Sequence, residues 1–202
     1  MNFSENISNK LTEVITSELN YNEDKKEIIA YAIETALLFV LGSFLIMLLG
    51  YALNALIPAV FAAIFGGLLR RVSGGAHFNT PLKCLTISSI TYALIGVLTK
   101  KLVNYDLTNK YILIFSLLVS FLLVAFLAPV DSEAKPIYSR NLKFKLKISS
   151  MVFVIVSFLI ISFSDNKLVS VSAVLGVFYQ SITLLPIFNR KEVSIDYEKV
   201  LF

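Results

Sequence analysis

Cys84 and His77 are the only cysteine and the only histidine of the chain, and they stand seven residues apart in the segment RRVSGGAHFNTPLKC from Arg70 to Cys84. A thiol with an imidazole in reach is a nucleophile: the ring takes the thiol proton and later returns it to a leaving amine. On one unbroken helix this spacing would hold the two side chains roughly 10 Å apart along the axis, too far for proton transfer. The pair therefore needs a bend. Gly74 and Gly75 before His77 and the Thr80-Pro81 step after it supply places for one.

Thr80 followed by Pro81 reads as a helix N-cap with proline at the first helical position, which puts Cys84 close to a helix N-terminus. There the helix dipole, with Lys83, Arg70 or Arg71 nearby in sequence, favours thiolate over thiol. A solitary cysteine in an apolar helix is more often an inert filler, a histidine at a helix end more often an interfacial residue, and a glycine pair more often a simple turn. Their convergence between Gly74 and Cys84 is what favours chemistry. One cysteine excludes an intrachain disulfide, and one histidine with one cysteine is too few for an ordinary structural zinc site, so no metal is expected.

The elements that position this segment belong to a membrane. Of 202 residues 56% are hydrophobic and 16% charged, with mean hydropathy +0.76, against roughly 45–50% apolar and about 25% charged in soluble domains. The apolar residues lie in long uncharged runs separated by short basic stretches, the pattern of helices solvated by lipid. The reading is an all-α integral membrane protein with about six spans, forming one membrane domain over residues 1–202.

An amphipathic segment, 1–27, comes first; Ile7, Leu11, Val14 or Ile15, and Leu19 share one stripe suited to a membrane or protein surface. The amino end lacks a basic stretch leading into an apolar core, so targeting falls to the first span. Residues 28–69 carry Glu34 as their only charge and are too long for one crossing, so they cross twice and turn near Gly50 to Pro58. The chemistry-bearing segment 70–84 follows, then four further spans in 85–188 with a basic loop at 129–147, and a tail at 189–202. No internal repeat or second soluble domain is visible.

With the amino end inside, fourteen of the eighteen lysines and arginines fall on cytoplasmic segments, the exceptions being Lys100, Lys101, Lys110 and Lys167. Both termini and the His77 segment are then cytoplasmic in a multi-pass cell-membrane protein. Within the basic loop, Arg140, Lys143 and Lys147 share a helical face while Leu142 and Leu146 take another. With Lys145 they form either an anchor on anionic lipid or a guide for an acidic substrate.

Arg70, Ser73-Gly74-Gly75, His77 and Cys84, with Ala128-Pro129 and Lys135-Pro136 after the fourth span, resemble the accessory gene regulator B (AgrB) family over nearly the whole chain. The resemblance implies a cysteine endopeptidase that cleaves an AgrD-like pheromone precursor at the carboxyl side of its future ring. The peptide is then held as an acyl-thioester until an internal nucleophile of the substrate captures it as a cyclic thiolactone or lactone. It assigns Cys84 as nucleophile and His77 as base, with Arg70, Ser73, Gly74 and Gly75 as supporting motif. It further implies action without a cofactor, a homodimer in the lipid bilayer and no nucleic-acid partner. Either Ser73 or Asn79 could orient the imidazole.

Two other classes compete. A small-solute transporter would be expected to carry charges inside its spans, where only Glu34 stands, near the end of its run. A noncatalytic membrane adaptor would work through its cytoplasmic loops and tolerate loss of Cys84.

Overall fold

The computed structural model describes residues 3–16, 22–76, 80–130 and 139–189. Every regular element among them is helical: α1 (Phe3–Thr16), α2 (Glu23–Ala52), α3 (Leu56–Ser73), α4 (Pro81–Asn104), α5 (Lys110–Leu127), α6 (Arg140–Ser162), α7 (Lys167–Ile182) and a closing 3-10 turn at Pro186–Phe188. The all-α membrane expectation holds: α2 to α6 are five helices long and apolar enough to cross a bilayer. The sixth apolar run is shorter than expected. Its helix ends at Ile182 with Thr183 as C-cap, and Pro186 follows, so α7 keeps 16 residues, about 24 Å against a bilayer core of about 30 Å.

The chain forms two compact units, and α3 contributes to both, through Ala63 to the first and from Ile64 to the second.

In the first unit, α2 begins at Asn22, whose side chain accepts the Lys25 N–H at 3.2 Å. Glu23 and Asp24 follow in its first turn, where negative charge suits the helix dipole. The double crossing turns at residues 53–55, inside the expected window. Asn54 adopts a left-handed φ of 54° there, Ala55 donates its N–H to Gly50 O at 2.7 Å, and Lys100 Nζ of α4 donates to the Asn54 carbonyl. Small residues let these helices approach: a Cβ added at Gly96 would lie 2.8 Å from Ala59 N and 2.9 Å from Ala55 O. Close backbone approach of this kind is how helices associate where lipid supplies no hydrophobic drive.

The amphipathic α1 packs against α2 with the face opposite to its apolar stripe. Ser8, Thr12 and Thr16 are buried, Ser8 donating its hydroxyl hydrogen to Ala30 O on α2 and the two threonines bonding back along α1. Leu11, Val14 and Ile15 are exposed. Of the two surfaces the stripe could suit, its outward position fits lipid.

The second unit packs α5, α6, α7 and the end of α3 around Leu69, Leu117, Val124, Val154, Val174, Val177 and Leu184. Phe65 and Phe153 meet in a tilted pair with centroids 6.4 Å apart. The buried serines of this unit include Ser157 and Ser181, each of which bonds the carbonyl four residues before it, so that no hydroxyl donor of theirs is stranded in an apolar interior.

Candidate functional site

The sequence motif falls on both units, and each part is built by different forces. In the first unit, Thr80 takes extended geometry (φ −130°, ψ 138°) and Pro81 opens α4 at its first position, as the spacing requires. The Thr80 side chain makes no capping bond, so the start rests on the proline, whose fixed φ suits the first turn. Cys84 donates its N–H to Thr80 O at 3.2 Å and so closes the first helical turn. Its carbonyl accepts the Ser88 hydroxyl at 2.7 Å. The residue is half-buried, and Lys83 beside it is exposed. A thiolate here would meet the positive end of the helix dipole.

In the second unit, α3 ends at Ser73 and the chain turns through Gly74 (φ 72°) and Gly75 (φ 138°), two conformations that side chains disfavour. Gly74 donates its N–H to Arg70 O at 3.0 Å, and the Arg70 guanidinium donates to the Ala76 carbonyl, so the arginine straps the turn from within. Val130, just past the cis Ala128-Pro129 bond, donates its N–H to Ser73 O at 2.9 Å. Gln180 of α7 donates through Nε2 to Gly74 O at 2.7 Å and faces Ser73 Oγ at 3.4 Å. A Cβ on Gly75 would fall 2.8 Å from Thr183 Oγ1 and 2.9 Å from Gln180 Nε2, and one on Gly74 would collide with the Val130 carbonyl.

Arg70, Ser73, Gly74 and Gly75 are thus brought together, with Val130, Gln180 and Thr183 as partners that the sequence reading did not name. The one available signal was that Gln180 is the only glutamine in the chain and interrupts an apolar run. Ser73 is fully buried and donates its hydroxyl to Gly74 O at 3.2 Å. His77 and Asn79 lie outside the described residues, as do Lys135-Pro136 and the tail from Arg190. Among the described residues no cluster of three or more histidine, cysteine or acidic side chains could hold a metal.

The basic residues open α6 behind Ser139, whose hydroxyl accepts the Leu142 N–H at 3.4 Å. Arg140, Lys143 and Lys145 are exposed and Lys147 is half-buried. No acidic residue stands in the first turn. Cations at a helix N-terminus oppose the dipole, and an anion brought from outside would relieve them.

Comparison with known proteins gives one family. The profile described as AgrB, Accessory gene regulator B, matches residues 8–184. An AgrB-like protein of Clostridium perfringens is 30% identical over 95% of this chain and 96% of its own length. Accessory gene regulator protein B of Staphylococcus intermedius is 35% identical over 61% of this chain and 63% of its own. The protein of that name from Staphylococcus aureus is 27% identical over 76% and 81%. No solved structure matches significantly.

Proposed function

This chain belongs to the accessory gene regulator B family, which is involved in quorum-sensing gene regulation, and on that premise we propose that it is a cysteine endopeptidase that processes an AgrD-like pheromone precursor. The observation that carries the reading is Cys84, half-buried in the first turn of a proline-started helix.

His77 takes the Cys84 proton, and the sulfur attacks the scissile carbonyl at the carboxyl side of the future ring. The carbon–nitrogen bond breaks as His77 returns the proton to the leaving amine, and the precursor's tail departs with a new amino terminus. The upstream peptide remains as a thioester on Cys84. The substrate's internal thiol then yields its proton to His77 and attacks the same carbonyl, and the Cys84 thiolate leaves and is reprotonated. The product is a thiolactone, or a lactone where the internal nucleophile is a hydroxyl. The thioester keeps the acyl group activated, so its exchange onto the internal thiol needs no ATP.

Arg140, Lys143, Lys145 and Lys147 receive an acidic precursor tail, an attraction that salt screens. The fourteen-to-four distribution of cations supports a multi-pass cell-membrane chain with both termini and the reacting groups cytoplasmic. Homodimerisation follows from the family resemblance.

The test is to trap the intermediate. A precursor whose internal nucleophile is replaced by alanine should release its tail and leave an adduct at Cys84, visible by mass spectrometry, stable to disulfide reductants and cleaved by hydroxylamine. Cys84→Ser should show no hydroxylamine-labile species. Normal tail release with no adduct even in rapid acid quench would favour direct hydrolysis and sink the acyl-transfer step.

A further inference from the structure

Contacts within the first unit fix the height of Cys84 along α2. A Cβ on Gly42 of α2 would lie 3.5 Å from Cγ of Leu85, the residue after Cys84, while Cβ atoms on Gly50 and Gly96 would both close on the segment from Ala55 to Ala59. α2 and α4 therefore run side by side in one direction, with Cys84 level with the middle of α2. Glu34 is the last charge on α2, and none follows before Arg70. From Glu34 to Gly42 is about 12 Å of helix, which puts Cys84 about 10 Å past Glu34 into the apolar run.

What surrounds that level is apolar. Phe39, Val40, Leu41 and Phe44 of α2 and Ile87 and Ile90 of α4 are exposed, on helices long and apolar enough to cross a membrane. The hydroxyls after Cys84 ask nothing of water: Thr86, Ser88, Ser89 and Thr91 donate to the carbonyls of Leu82, Cys84, Leu85 and Ile87 at 2.7–2.9 Å. Such internal pairing is what polar groups require where lipid replaces water. Lys83 is exposed beside Cys84, and its stem is long enough to lift the ammonium toward the headgroups.

We propose that the Cys84 thiol lies beneath the bilayer surface, in the leaflet on the Glu34 side, and that this dry setting decides the fate of the acyl-thioester: transfer to the precursor's internal nucleophile instead of hydrolysis. The inference rests on the endopeptidase reading. In hydrolysis a water oxygen attacks the thioester carbonyl, the carbon–sulfur bond breaks, a water proton passes to the Cys84 sulfur and the peptide leaves as a linear carboxylic acid. Excluding water from an activated intermediate suppresses that loss, whereas the internal nucleophile arrives already tethered to the acyl group.

Two measurements on full-length protein in lipid nanodiscs test depth and fate separately. With a nitroxide on Cys84, collisions with oxygen, which enters hydrocarbon, and with a neutral nickel chelate, which stays in water, report depth by electron paramagnetic resonance. The oxygen-to-nickel ratio should be at least about fivefold higher than for a label at Asp24→Cys in a Cys84→Ala background, and within about twofold of that at Leu41→Cys. If Leu41→Cys does not accumulate, Val40→Cys takes its place. A ratio at Cys84 equal to that at Asp24→Cys would overturn the depth and leave the endopeptidase reading standing. For the fate, the adduct trapped with the alanine-substituted precursor should hydrolyse at least about tenfold more slowly in the bilayer than after unfolding in guanidinium at the same pH. Equal rates would overturn the protective role. A hydrocarbon-like label with no adduct at any time would sink the endopeptidase reading and the protective role with it, while the depth of the thiol would stand.

Discussion

The first turn of α4 and the Ser73–Gly75 turn lie a few residues apart in sequence and are held in opposite ways. Cys84 is placed by local rules: an extended Thr80, a proline at the first helical position and one backbone bond back to Thr80 O. The glycine turn is placed by distant ones, since Val130 and Gln180 bond it from beyond α5 and from α7. A side chain in the first turn of a helix needs little more than the helix start to be placed. A turn that runs through conformations side chains disfavour needs packing from elsewhere in the fold. Chemistry and stability should therefore separate at Cys84 and travel together at the glycines.

The sharpest separation is expected for Cys84→Ala. Tail release should fall to background, a loss of at least about a thousandfold, while the thermal transition in detergent changes by no more than about 1 kcal/mol equivalent, as for a half-buried side chain shortened by one atom. A large loss of stability would make the cysteine a packing residue and dissolve the contrast. Gly75→Ala should do both things at once: strain at φ 138° and the clash with Thr183 and Gln180 cost about 1–3 kcal/mol, and cleavage should drop at least tenfold. Cleavage kept beside such destabilisation would show that the turn is scaffold only.

The smallest effect is expected where neither kind of constraint operates. Neutralising Arg140, Lys143, Lys145 and Lys147 together to glutamine should raise KM for the precursor several-fold at low salt, leave kcat within about twofold, and flatten the dependence of KM on ionic strength. Salt dependence equal to that of the unaltered protein would return these residues to the role of lipid anchors.

The same contrast explains what could be read from the sequence. The Thr80-Pro81 start of α4, the double crossing with its turn at 53–55 and the amphipathic α1 are set by neighbours a few residues away, and periodicity and punctuation reveal them. Gln180, the side chain that bonds Gly74, lies about a hundred residues away on α7, where a single glutamine in an apolar run announces polarity without saying what it meets. The shortness of α7 was hidden because hydropathy does not register where helical geometry stops, and the run continues apolar through Leu185. The face of α1 was hidden for another reason. In water the apolar stripe would pack inward, but beside lipid the hydroxyl face of Ser8, Thr12 and Thr16 can take the protein contact instead.

That inverted face fixes a waterline. The 30 residues of α2 span about 45 Å, some 15 Å more than a bilayer core, so the helix could ride high or low. Ser8 ties α1 to Ala30, about 10 Å from the start of α2, and the outward stripe of Leu11, Val14 and Ile15 suits α1 to the headgroup boundary. What remains from Tyr31 to Ala52 measures about 33 Å, close to the hydrocarbon thickness. Glu34 is then submerged by only one helical turn, near enough for its carboxylate to reach up to water. An α1 lying at the headgroup boundary would work as a float that sets the draught of the first span.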